Sequence, residues 1–184
     1  MKKLSLIILI ISLGSSVSYS QKIKEPLYLS FSGGFTAPAA DKSFTDYFNL
    51  GPNLNAALST RISKNYMIRG ELSYLSFPGK NMSLGSYDFK IQNISLYTAN
   101  TNLLFGQFTG LDLHYYGFIG AGILLIDDDT GIKTSLGLNI GAGLMLPLYE
   151  EKTFFTLETL YQQNFSAGFV KGYVPIKAGV TFKL

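Results

Sequence analysis

Few residues in this chain have the types and spacing that chemistry requires. The densest group is Asp127-Asp128-Asp129-Thr130-Gly131. Carboxylates placed along a turn suit a hard, oxygen-seeking cation such as Ca2+, although the run lacks the spacing of a calcium-binding loop and its bidentate Glu. The same residues fit a polar hairpin tip, in which Asp and Gly satisfy the backbone of the turn. His114 is the sole histidine and there is no cysteine, which rules out metal centres built from His and Cys. No serine sits in a recognisable nucleophile elbow, and no GxxxxGK[ST] phosphate loop occurs. The sequence therefore presents no catalytic, cofactor-binding or metal-ligating set. Five charges remain for a site: Arg61, Arg69, Glu71, Glu158 and Lys177.

Strands must position them. Apolar and polar residues alternate with a period of two through most of the chain after residue 20, the signal of half-buried β-strands. Between Thr134 and Leu146, for example, Leu136, Leu138, Ile140, Ala142, Leu144 and Leu146 share one face. Ser135, Gly137, Asn139, Gly141, Gly143 and Met145 share the other. Eight strands result, over 27–37, 51–62, 66–77, 87–105, 111–126, 132–147, 153–165 and 172–184, each long enough to cross a bilayer obliquely. In the fourth, the apolar phase slips between Phe89/Ile91 and Ile94/Leu96, which predicts a β-bulge near Gln92 and Asn93.

The connections alternate in character. Short ones fall at 63–65, 106–110 and 148–152, and those at 36–50, 77–88, 127–131 and 164–172 are longer or richer in turn formers. Tight turns at one rim and long loops at the other describe an up-and-down barrel. Aromatic residues gather towards both rims. Tyr66, Phe105, Phe108, Tyr115, Tyr149, Phe154, Phe155 and Phe182 belong to the rim that holds the termini, and Phe35, Tyr74, Phe77, Tyr87, Phe89, Phe165 and Tyr173 to the other. They predict two girdles around a lipid-facing band.

Alternation does not say which face points outward; the kind of polar residue does. A solvated face is rich in Lys and Glu. Here the polar face carries mainly Ser, Thr, Asn, Gln and Gly, with few charges of both signs. That composition suits an enclosed polar interior whose charges must be paired, and eight strands leave a lumen just wide enough for side chains to fill. Arg61 and Arg69 flank the 63–65 turn on adjacent strands and point to the same face, so they are expected close together. Glu71 and Glu158 are their counter-charges, and Lys177 lies next to strand seven once the barrel closes. The expected arrangement is an ion-pair network filling the lumen; the alternative is a gated polar path for small solutes.

The first twenty residues have the form of a secretory signal: Lys2 and Lys3, an apolar run from Leu4 to Leu13, then small residues Ser18 and Ser20 before a cut. The expected organisation is a cleaved signal peptide over 1–20 and one barrel domain over 21–184. Lys2 and Lys3 are two of 15 basic residues set against 12 acidic ones, so the remainder is near neutral and offers no footprint for nucleic acid. Charged residues make up 15% of the chain, well below the roughly 25% of soluble domains. After residue 20 no run of ~18 apolar residues could form a spanning helix. An exported, apolar chain without such a helix points to strands.

The last eight residues, Lys177 to Leu184, carry a further pattern: a polar residue, Gly two positions on, an apolar residue three after that and an apolar terminus. Lys177, Gly179, Phe182 and Leu184 stand in register with the C-terminal assembly signal of outer-membrane barrels, with Leu where Phe is usual. With this ending and its strand-loop plan, the mature chain resembles the small eight-stranded outer-membrane barrels of the OmpX, OmpA-transmembrane and opacity-protein type. The resemblance implies an all-β, eight-stranded antiparallel up-and-down transmembrane barrel. It further implies a place in the outer membrane of a Gram-negative bacterium, with both termini periplasmic.

It also implies a non-enzymatic role in structural support or surface interaction of an adhesion-like kind. Partners would be outer-membrane lipids, the barrel-assembly machinery through Lys177, Gly179, Phe182 and Leu184, and extracellular ligands through loops 36–50, 77–87, 127–131 and 164–172. Two alternatives are a narrow OmpW-like, porin-like conduit for small solutes and, with less support, a soluble periplasmic ligand-binding barrel. No cofactor is expected.

Overall fold

The computed structural model of the protein describes residues 25–108, 113–128, 131–149, 152–165 and 172–184. The expected signal peptide lies outside these residues. Among the described residues ten strands occur in chain order: β1 (Leu27–Ala39), β2 (Gly51–Ser63), β3 (Tyr66–Phe77), β4 (Asn81–Leu84), β5 (Tyr87–Lys90), β6 (Ile94–Gly106), β7 (His114–Asp128), β8 (Gly131–Tyr149), β9 (Thr153–Asn164) and β10 (Gly172–Lys183). One short helix, α1 (Lys42–Tyr47), follows β1.

Eight of the strands form a closed barrel in the order β1-β10-β9-β8-β7-β6-β3-β2. Every neighbouring pair is antiparallel. The first strand closes the ring on the last, from Tyr28 opposite Lys183 to Ala39 opposite Gly172, so the barrel itself has no edge strand. Gly179 makes this seam possible. A Cβ there would lie 2.2 Å from the Phe31 carbonyl oxygen and 2.5 Å from the Ser32 Cβ.

The expected fourth strand, 87–105, is corrected. The break at Gln92 and Asn93 is not a bulge within one strand. Residues 87–90 pair instead with 81–84, forming a separate two-stranded hairpin beyond the barrel. The barrel strand starts only at Ile94. The root of the excursion is tied by hydrogen bonds from Ile91 N to the Lys80 carbonyl (2.9 Å) and from Gly79 N to Asn93 Oδ1 (3.1 Å). The phase slip thus marks the place where the chain re-enters the wall. Strand five begins at His114, residues 111–112 lying outside the described set. Where β7 passes to β8, Asp128 pairs with Gly131, whose φ is +111°; Asp129 and Thr130, in the run read as a turn or a cation loop, lie outside the described residues.

Inside and outside are as a membrane barrel requires. The outward positions of β8, Leu136, Leu138, Ile140 and Leu146, are all exposed, as are Leu54, Leu58, Ile68, Leu72, Ile119 and Ile176 around the ring. Tyr66 and Phe105 sit opposite each other at the terminal rim, and Tyr74 and Tyr97 at the loop end. Eight residues separate Tyr66 from Tyr74, and at about 3.3 Å each along a strand tilted by about 40° they span roughly 20 Å, near the height of an apolar membrane band. Four of the aromatics expected in the girdles point inward instead. Phe77, Tyr173, Phe108 and Phe154 are buried, where they close the ends of the lumen.

Candidate functional site

The interior is layered from one rim to the other. At the terminal end lies an apolar layer of Tyr28, Met67, Leu104, Phe108, Tyr116, Phe118, Met145, Phe154 and Leu160. His114 joins this end, buried with its ring 6.3 Å from that of Phe154. At the loop end lies a second layer, with Leu75, Phe77, Ile94, Leu96, Leu124, Ile126 and Tyr173 projecting from the wall. Two of its members come from the β1–β2 connection. Asp41 caps α1 by accepting from Ser43 N (2.8 Å), and α1 turns Phe44 down into the mouth, fully buried. The Phe44 ring meets Phe77 edge-on at 4.9 Å and Phe48 at 5.4 Å. The helix is tied to the neighbouring excursion by Lys80 N to the Tyr47 carbonyl, Lys80 Nζ to the Thr45 carbonyl and Asn49 N to the Pro78 carbonyl.

Between these layers, four of the five predicted charges form a ring. Arg69 and Glu71 project from β3; Glu158 and Lys177 project from β9 and β10, directly opposite each other in register. In the barrel order β9 is four strands away from β3, so the contacts cross the full width of the lumen. Arg69 Nη1 donates to Glu158 Oε1 in a very short contact, and Arg69 Nη2 lies 3.4 Å from Glu71 Oε2. Lys177 Nζ lies 2.7 Å from Glu71 Oε1 and 3.1 Å from Glu158 Oε2. Each charge therefore touches two of opposite sign, and the ring is neutral. Its surroundings hold it in place: Tyr116 Oη donates to Glu158 Oε1 (2.5 Å), Ser73 Oγ to Glu71 Oε1 (3.2 Å), and the Arg69 guanidinium stacks 4.8 Å from the Phe118 ring centre.

Arg61 lies outside the ring. It shares the inward face of β2 and β3 with Arg69, but its Nη2 donates to Tyr28 Oη and to the Phe108 carbonyl, both at 2.9 Å. Its position one turn from the rim lets it anchor the 107–108 segment rather than reach a carboxylate. Of the residues in the terminal pattern, Lys177 and Gly179 face the lumen, while Phe182 and Leu184 are exposed on the outer face. Beside the charge ring, among Ser30, Ser32, Ala57 and Ser59, the lumen narrows to a cavity of about 20 Å³, the space of roughly one water.

No family model matches the chain, and no curated protein matches it. Solved structures do match. Neisserial surface protein A aligns with a TM-score of 0.62 at 16% identity, covering 86% of this chain and 97% of its own. A major outer membrane protein of Thermus thermophilus aligns with a TM-score of 0.60 at 10% identity, covering 88% and 100%. The outer membrane protein OprG of Pseudomonas aeruginosa aligns with a TM-score of 0.57 at 14% identity, covering 87% and 97%. The chain is thus an all-β, closed eight-stranded antiparallel barrel with the fold of small outer-membrane barrels.

Proposed function

We propose that this protein is a non-enzymatic barrel of the Gram-negative outer membrane, serving structural support and surface contact. In this reading residues 1–20 are a cleaved export signal, the termini lie in the periplasm and α1 with the β4–β5 hairpin faces outward. The observation that carries it is the combination of a Leu/Ile/Phe exterior with a lumen spanned by a neutral ion-pair ring between two apolar layers. Water would penalise that exterior, and lipid solvates it; a soluble carrier would be built the other way round.

The closed lumen favours contact over conduction. The loop end offers a surface for it: α1 is tied to Pro78 and Lys80 at the root of the hairpin, and Tyr87 and Phe89 stand exposed on β5. Lipids and extracellular ligands meeting loops 36–50, 77–87, 127–131 and 164–172 are the partners this reading implies. Lys177, Gly179, Phe182 and Leu184 would serve recognition by the assembly machinery.

An epitope inserted between Gly85 and Ser86, at the hairpin turn, tests the orientation. On intact cells it should bind antibody, while an epitope appended to Leu184 should bind only after the envelope is opened. A C-terminal epitope that is accessible on intact cells would reverse the orientation.

A further inference from the structure

The outer wall of the barrel is not uniformly smooth. Between two neighbouring rungs of outward side chains it carries a groove of about 720 Å³, within the size range of small-ligand sites, about 300–1,000 Å³. One bank is the rung Ile68, Leu103, Ile119 and Ile140, which ends at Tyr161. The other is the next outward rung, Thr101, Ala121 and Leu138, which ends at Gln163. The hollow exists because Thr101 and Ala121 are short, whereas Leu103, Ile119 and Ile123, two positions away along the same strands, stand out from the wall.

The groove has a direction. Ile68 is the third residue of β3, near the terminal rim, and Gln163 is the last but one of β9, at the loop rim. It crosses the wall from β3 over β6, β7 and β8 to β9, and four spacings of about 4.8 Å make it roughly 19 Å long. The chains of one membrane leaflet reach about 15 Å, half of a ~30 Å hydrocarbon core. An acyl chain entering from the loop rim therefore has the length and the slope to follow it.

The two ends differ in chemistry. Along the wall the outward side chains are aliphatic apart from Thr101. At the loop rim Tyr161 Oη donates to Gln163 Oε1 (2.5 Å), and Gln163 Nε2 donates to the Asn164 carbonyl (3.3 Å). A carboxamide nitrogen carries two hydrogens and a phenolic oxygen can accept as well as donate, so this pair has capacity left for a carbonyl. A hydrogen-bonding end at the membrane surface and an aliphatic run below it match an amphiphile lying with its polar end outermost. Among the described residues no Asp, Glu, Lys or Arg lines the groove, so it reads the chain and its linkage rather than a charged headgroup.

We infer that this groove holds one acyl chain of a membrane lipid, with the ester carbonyl of that chain at Gln163 and Tyr161. The inference rests on the reading of the protein as a lipid-facing barrel, and it names the place on that wall where a lipid is retained rather than exchanged freely with its neighbours. A second copy of the barrel fits less well. Two convex walls meet along their protruding side chains and leave a groove between them unfilled, whereas a single chain follows it and buries its length.

The test folds the protein into vesicles of dilauroyl phosphatidylcholine, extracts it in mild detergent and records its intact mass, which counts the lipids that stay. The parent should retain one phosphatidylcholine. Ala121→Phe fills the floor of the groove and should cut the retained fraction by about tenfold, because the chain loses its apolar seat. Gln163→Leu should lower it less. Ala142→Phe, in a separate hollow of the same outer wall, should leave it unchanged. Ala121 and Ala142 are both exposed, so these substitutions leave the lumen untouched, and the compact band of unboiled protein on detergent gels checks each fold. Equal retention by the parent and Ala121→Phe, or loss with Ala142→Phe instead, would overturn the inference. A doubled mass that Ala121→Phe abolishes would give the groove to a second copy and overturn it too. A parent that never forms the compact band in these vesicles would overturn the membrane reading beneath it.

Discussion

Lys177 and Glu158 stand directly opposite each other on β10 and β9, with Nζ 3.1 Å from Oε2, and the same ammonium lies 2.7 Å from Glu71 across the lumen. One lysine therefore ties the closing strand both to its neighbour and to the far wall. Lys177 is 2% exposed, so neither contact is diluted by solvent. The pairing couples two events, closure of the ring and neutralisation of its interior.

Glu71→Gln should be strongly destabilising. It leaves Lys177 and Arg69 with one carboxylate between them, and removing one member of a buried pair costs about 3–5 kcal/mol. The urea midpoint of the protein folded into vesicles should fall accordingly. Combining Glu71→Gln with Lys177→Gln should recover part of the loss, a coupling of about 0.5–3 kcal/mol. Strict additivity in that double-mutant cycle would remove the ring from the account.

Arg61→Ala should be milder than Arg69→Ala. Arg61 is half-buried and gives two hydrogen bonds, to Tyr28 Oη and the Phe108 carbonyl, each worth about 1 kcal/mol or somewhat more with a charged donor. Arg69 loses two carboxylates and a ring stack. Equal midpoint shifts for the two variants would contradict the separation of Arg61 from the ring.

Ile140→Arg tests which face meets lipid. Ile140 is 59% exposed on the outer face of β8, and an Arg within the apolar band of a membrane barrel costs up to about 2–4 kcal/mol near the midplane. Tyr87→Arg, on the hairpin beyond the barrel, should stay within about 0.5 kcal/mol. If both substitutions were silent in vesicles, the band would not be a lipid-facing surface.

Gly179→Val should impair closure itself. The added side chain has no room beside the Phe31 carbonyl and Ser32, so β10 cannot lie against β1. Unboiled samples of this variant should lose the compact band on detergent gels, where a closed barrel resists unfolding until heated. A retained, heat-sensitive compact band would show that the seam tolerates a Cβ.

Much of this architecture was legible in the residue pattern, for a physical reason. Strict alternation in β8, from Leu136 to Leu146, fixes which side chains share a face, and the scarcity of charge on the other face fixes which side is enclosed. The inward face carries five charges, three basic and two acidic, and the alternation alone does not single out Arg61 as the one that stands apart from Arg69, Glu71, Glu158 and Lys177. What alternation does not carry is long-range filling. Phe77, Tyr173, Phe108 and Phe154 have the outward look of girdle aromatics, but their parity places them inside, where a narrow lumen needs bulk at its ends. Nothing local marks Phe44 as a plug, because its partners Phe77 and Tyr173 lie 33 and 129 positions further along the chain. The break at Gln92 and Asn93 was visible as a phase slip, yet a slip reads alike for a bulge and for a chain leaving the wall.

The central claim is that the lumen is closed by the ion-pair ring and the two apolar layers. Current through the folded protein in a planar bilayer tests it most directly. The account predicts no unitary conductance steps in 1 M-scale KCl (on the order of a 3 Å screening length) for the parent protein. Reproducible unitary steps in the parent would contradict it and restore the conduit.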